Sequence, residues 1–176
     1  MPEALGKDFH GILPIGRRDT RMLRISKVLY ATDFSPHCTQ AYFHAVQLAS
    51  CHQACLTIAH VFQPDPSIRR QVELMAAERK HWNAQLEQIR PVNDGITVRH
   101  VLLEGDPAEE ILRLADEMGA DVIVMGTHGR SYIEGESMGH VARTVLAQAP
   151  CSVLLSRLHQ GSDKPKGEAK SPALVN

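Results

Sequence analysis

Five short apolar runs, each separated from the next by a stretch with helical periodicity, constrain this chain more than any other feature. Residues 28–32, 55–61, 97–103, 122–125 and 151–155 are nearly continuous in Val, Leu, Ile and Ala, as expected of strands covered on both faces. Between them, apolar residues recur at helical spacing: Ala41, Ala45, Leu48 and Ala49; then Val72, Met75, Trp82, Leu86 and Ile89; then Ile111, Leu114, Ala115 and Met118; and last Val141, Val145, Leu146 and Ala149. The order β-α-β-α-β-α-β-α-β predicts an α/β doubly wound parallel sheet with helices on both faces, a three-layer sandwich with right-handed crossovers.

Local signals fix the ends of these elements. Ser35-Pro36 predicts a helix start, with a capping hydroxyl and then a proline whose missing N–H costs nothing at the first helical position. Asp106-Pro107-Ala108-Glu109 is close to a capping box, with Asp106 at the N-cap and Glu109 at N3. Gly119 predicts the stop of that helix, and the turn Asn93-Asp94-Gly95 follows the stop expected near Pro91. The last helix is expected over 137–149, ended by Pro150.

Composition narrows the function classes. With 19 basic against 20 acidic residues, the chain lacks the basic excess of a dedicated nucleic-acid binder. No apolar run reaches the roughly 18 residues of a membrane span. The start, MPEALGKDFHGILPIGRR, lacks a basic stretch followed by an apolar core, so no secretory signal is expected and a cytoplasmic location is the default. Residues 1–24 read as a flexible arm with five basic and three acidic groups. Residues 159–176 read as a disordered tail with three and two. Of the chain's net −1, the central domain 25–158 therefore holds −4.

Four cysteines are too few for a disulfide framework. Cys51-His52-x-x-Cys55 resembles half a metal site without a second half, so Cys38, Cys51, Cys55 and Cys151 are expected to be buried or half-buried thiols. The ten histidines form no HExxH or i, i+4 pair.

In open parallel sheets, ligands bind beyond the carboxyl ends of the strands, where strand order reverses. Asp33 follows the first run, His60-Val61 closes the second, and Gly126-Thr127-His128-Gly129-Arg130 follows the fourth and leads to Gly139. Glycines let backbone amides approach phosphate and adopt positive φ, and a helix N-terminus adds partial positive charge. Arg130 could contact phosphate, and Asp33 could accept from a ribose hydroxyl or an adenine amine. The alternative is that these glycines only make turns. Neither a Walker A motif nor G-x-G-x-x-G is present.

The stretches VLYATDFS (28–35), HV (60–61), EGDPAEEILRLADEMGADVIVMGTHGRS (104–131) and GHVARTVLAQAPCSVLL (139–155) resemble the universal stress protein family, in the family's order and over about three quarters of the chain. The resemblance implies a Rossmann-like (HUP-type) sheet of order 3-2-1-4-5. It further implies a cytoplasmic stress-response role and homodimers paired through the last strand (151–157).

One branch of the family binds ATP through G-x2-G-x9-G-(S/T), and Gly126, Gly129 and Gly139 keep those spacings. The resemblance then places Asp33 and Val61 at adenine and ribose, with Ala31 and Thr32 flanking the base and Met125 and Gly126 on the ribose side. Gly129, Arg130, Gly139, His140 and Val141 face the phosphates, with Mg2+ as the ion accompanying ATP. Two features depart from the pattern. His140 stands where Ser or Thr is expected, an imidazole that either donates to phosphate or fills the site. Glu134 and Glu136 put carboxylates in the loop, repulsive to a triphosphate unless turned away or met by a metal.

Three functions compete at this stage: a nucleotide-sensing dimer acting through protein partners, a slow ATPase, and a ligand-free interaction subunit. Hydrolysis needs a group that positions water. His128, His140, Glu134 and Glu136 have no assignable partner by spacing, so no catalytic residue is expected and the binding module is favoured.

Overall fold

The computed structural model describes residues 24–67, 69–92, 95–130 and 137–157. The N-terminal arm up to residue 23, the tail from 158, Asn93 and Asp94 of the turn, and the loop carrying Glu134, Gly135 and Glu136 lie outside the described residues.

Five parallel strands run in the order β3-β2-β1-β4-β5: β1 (Lys27–Ala31), β2 (Cys55–Phe62), β3 (Val98–Glu104), β4 (Val122–Gly126) and β5 (Ser152–Ser156). The helices are α1 (Thr39–His52), α2 (Val72–Glu87), α3 (Pro107–Met118) and α4 (His140–Gln148). The expected doubly wound architecture and the strand order are both present. β1 is central and fully buried over Val28 and Leu29, which is why its run shows no alternation.

The sheet separates two apolar layers. Val28, Tyr30, Leu56 and Ile58 pack toward α1 and α2, against Ala41, Ala45, Ala49 and Leu86. Leu29, Ala31, Ala59, Ile123 and Met125 pack toward α3 and α4, against Ala108, Ile111, Ala115, Ala142 and Val145. Alternate residues of one strand thus serve opposite layers.

Several boundaries follow the sequence. Asp106 Oδ1 accepts from the amides of Ala108 (2.9 Å) and Glu109 (3.1 Å), with Pro107 at N1. Gly119, at φ 59°, closes α3 by donating to Asp116 O, while Ala120 N–H reaches back to Ala115 O (2.8 Å).

Others differ. The start at Ser35-Pro36 is present but opens a 3-10 turn, Pro36–Cys38, ahead of α1, and the Ser35 hydroxyl makes no capping bond; Ser35 N–H donates to Asp33 Oδ1 (3.0 Å). The last helix starts at His140 rather than 137, with Gly139 at its N-cap. α2 ends at Glu87, before Pro91. Its first turn leaves Val72 exposed, because the helix buries Leu86 and its neighbours rather than its N-terminal end. Cys38 is buried and Cys55 and Cys151 are half-buried, but Cys51 is exposed on α1, contrary to expectation; all four are free thiols.

Candidate functional site

Strand order reverses between β1 and β4, and the chain after each rises past the same end of the sheet. A cavity of about 430 Å³ opens there. All eleven residues anticipated from the sequence border it: Ala31, Thr32 and Asp33 after β1, Val61 in β2, Met125 and Gly126 closing β4, Gly129 and Arg130 in the loop, and Gly139, His140 and Val141 at the start of α4. Sequence reasoning did not single out Cys38, Ala59, Gln63 or Ile111, which also contribute to the wall. Ile111 was visible only as an apolar position of α3, with nothing to show which end of the helix faces the cavity.

Asp33 ties this mouth together. Its Oδ1 accepts from Ser35 N–H (3.0 Å) and the Cys38 thiol (3.1 Å), and its Oδ2 accepts from Arg130 N–H (2.6 Å). Burial pushes the carboxyl pKa up, but these hydrogen bonds together outweigh burial, and the net shift is below the ordinary carboxylate value. Asp33 is therefore an anion in place. Burial, with the Asp33 charge beside it, raises the Cys38 pKa, keeping the thiol protonated as a donor. In this arrangement the carboxylate fastens the glycine loop to the end of β1.

The glycines serve close approach rather than positive φ. Among the described residues only Gly105 and Gly119 are positive-φ glycines. A Cβ on Gly126 would meet the backbone oxygens of His128 and His37 at 3.0 Å each. A Cβ on Gly129 would overlap Asp33 Oδ2. At Gly139 a Cβ would find only ordinary contact, 3.5 Å from Thr127 O, so the third glycine is not sterically required.

α4 points its N-terminus into the cavity wall. Gly139 N–H donates to Thr127 O (2.9 Å), and the first bond within the helix runs from Arg143 N to Gly139 O (3.1 Å). The amides of His140, Val141 and Ala142 thus precede the helix's own acceptors and carry its partial positive charge. His140 itself is exposed. His128 is buried, with Nδ1 3.0 Å from Thr127 Oγ1.

Arg130 divides between two places. Its amide holds Asp33, while its guanidinium carbon lies 4.7 Å from the Trp82 ring centroid and 6.0 Å from that of Phe34. His60, which the sequence placed near the site, turns toward the same aromatic group: its ring centroid is 4.5 Å from Phe34 and 4.9 Å from Trp82, and its Nδ1 is 2.8 Å from Thr32 O.

A parallel sheet wound on both faces, with a cavity at the reversal and helix amides at its wall, defines a doubly wound α/β protein. The universal stress protein family model matches residues 24–157, and the chain belongs to that family. It is 34% identical over 140 residues to a universal stress protein of Thermus aquaticus, covering 74% of this chain and 97% of that one. Among solved structures it resembles universal stress protein UspA of Lactobacillus plantarum (26% identity, TM-score 0.68, 76% of this chain and 99% of that one). It also resembles a universal stress protein crystallised in complex with cAMP (26% identity, TM-score 0.54, 76% and 98%).

Proposed function

We propose that this chain is a regulatory binding module that takes an adenine nucleotide, ATP in the first instance, into the cavity between Asp33, Gly126 and Gly139. The observation that carries the reading is the convergence of all eleven anticipated residues on one cavity at the strand-order reversal. The likeness to a relative crystallised with cAMP supports it. Val61, Ala31 and Met125 offer apolar wall to a base and ribose, and the amides of His140 and Val141 offer donors to phosphate. In this reading Mg2+ accompanies the phosphates of ATP.

In the same reading the protein is a cytoplasmic homodimer, paired through the edge strand β5, and acts on protein partners in a stress response rather than by turnover. No helix among the described residues is long and apolar enough to cross a membrane.

Calorimetric titration of the purified protein with Mg-ATP, beside Asp33→Ala and His140→Ser, tests the reading. Micromolar binding weakened at least tenfold by Asp33→Ala supports it. No heat from wild type, with recovery in His140→Ser, would mean that the imidazole has closed the site. Turnover well above background would favour the ATPase instead.

A further inference from the structure

Much of the cavity wall lies on one side of the sheet, whereas the Arg130 guanidinium lies against rings packed on the other. Ala59, Ile111 and Ala142 in the cavity wall belong to the layer under α3 and α4. Phe34 packs with the opposite layer, under α1 and α2, and Trp82 is a residue of α2. The Phe34 and Trp82 rings stack at 5.8 Å with only 10° between their planes, and the guanidinium lies against both. Arg130, a residue of the cavity mouth, thus lays its guanidinium against rings of the α1 and α2 layer.

This arrangement is built rather than incidental. Phe34 holds φ at 63°, a left-handed conformation that a bulky residue adopts only under constraint, with its amide fixed to Thr32 Oγ1 (3.0 Å). Its ring packs against both His60 and Trp82, which also contact each other with centroids 4.9 Å apart. Beneath the stack His60 is buried, and burial lowers its pKa, so no imidazolium opposes the guanidinium. The electron-rich face of the half-buried indole attracts a cation, here the exposed guanidinium of Arg130. On the cavity side, Arg143 directs Nη2 to the carbonyl of Met138 (2.9 Å).

We infer that Trp82, with Phe34, is a specificity-determining residue: it sequesters the Arg130 guanidinium, so that the site reads the nucleoside and its first phosphate through backbone amides and gains little from a second and third. The ligand class is then an adenine nucleotide of low charge, monophosphate or cyclic, bound about as well as the triphosphate. This rests on the adenine-nucleotide reading above and deepens it.

The test is a titration series with adenosine, AMP and ATP on four proteins: wild type, Arg130→Ala, Trp82→Leu and the double variant. Wild type should bind AMP and ATP within about threefold of each other, and Arg130→Ala should leave that ratio unchanged within about twofold. Trp82→Leu frees the guanidinium and should raise the ATP-to-AMP affinity ratio about five- to tenfold, the size of one charge-assisted phosphate contact near solvent. The double variant should return to the wild-type ratio. A fivefold fall of the ratio in Arg130→Ala would overturn the inference, because the guanidinium would then already serve the phosphates. So would an unchanged ratio in folded Trp82→Leu. Arg130 is exposed, so its single variant keeps the test open even if Trp82→Leu does not fold. Absence of binding by all three ligands in wild type would instead remove the adenine-nucleotide reading, and this inference with it.

Discussion

Replacing Gly129 by alanine should unfasten the mouth of the cavity. The new methyl would overlap Asp33 Oδ2, so the carboxylate must rotate away. Rotation breaks its bond from Arg130 N–H (2.6 Å) and strains those from Ser35 N–H (3.0 Å) and Cys38 (3.1 Å). A hydrogen bond to a charged acceptor contributes about 1.5–3 kcal/mol, and Asp33 is only half-buried, so the lower part of that range applies to the bond lost outright. With the two others weakened and about 0.5 kcal/mol regained from a stiffer unfolded chain, the net loss is about 2 kcal/mol. At roughly 4 °C per kcal/mol for a domain of this size, Tm falls by about 8 °C. Thermal unfolding of Gly129→Ala, Asp33→Ala and the double variant measures the coupling directly. Against Asp33→Ala the same methyl has no carboxylate to displace, and its cost should shrink to about 0.5 kcal/mol or less. A Gly129→Ala protein melting within a degree of wild type, or an equal loss in both backgrounds, would refute the reasoning.

Asp106→Ala removes the oxygen that accepts from the first two free amides of α3 and should lower stability by about 1 kcal/mol, read by denaturant midpoint at unchanged m. His60 gives a pH signature. Burial, only partly offset by the contact with Thr32 O, holds its pKa below the ordinary value. As pH drops through about 6.5 the unfolded imidazole takes up a proton that the folded one refuses, so stability falls with acidification and levels off below the folded pKa. His60→Gln should show a smaller Tm difference between pH 7.5 and 5.5 than wild type, and an equal difference would remove His60 from that role. Asp33 acts at lower pH: its stabilisation is present above the ordinary carboxylate range and disappears as pH falls through its depressed pKa.

Most of the fold was legible because parallel strands buried on both faces leave unmistakable apolar runs, and all five strands begin within one residue of their expected starts. β3 runs one residue later than read, at Val98–Glu104, since the sheet's register and not apolar character sets where pairing stops. Asp106 and Gly119 were readable because their chemistry is local. Ser35-Pro36 marked a true start, with Ser35 extended at the N-cap and Pro36 at the first position, but its hydroxyl lies toward the Cys38 thiol (3.7 Å) and makes no capping bond, a contact the sequence did not show.

Which residues border the cavity was legible by position, and their contacts were not. The Asp33 clamp joins positions 97 residues apart, and the aromatic group draws Phe34, His60, Trp82 and Arg130 from four separate segments. No Gly or Asn announced the left-handed backbone at Phe34, which arises from tertiary packing. The sequence could place Arg130 beside a phosphate site but could not say which way its side chain turns.

The most direct measurement is an amide-resolved NMR titration of the isotope-labelled protein with AMP. If the cavity takes an adenine nucleotide, the amides of Asp33, Gly126, Gly129, His140 and Val141 shift together and saturate along one binding curve. Shifts confined to other surfaces, or none at millimolar AMP, would contradict the account.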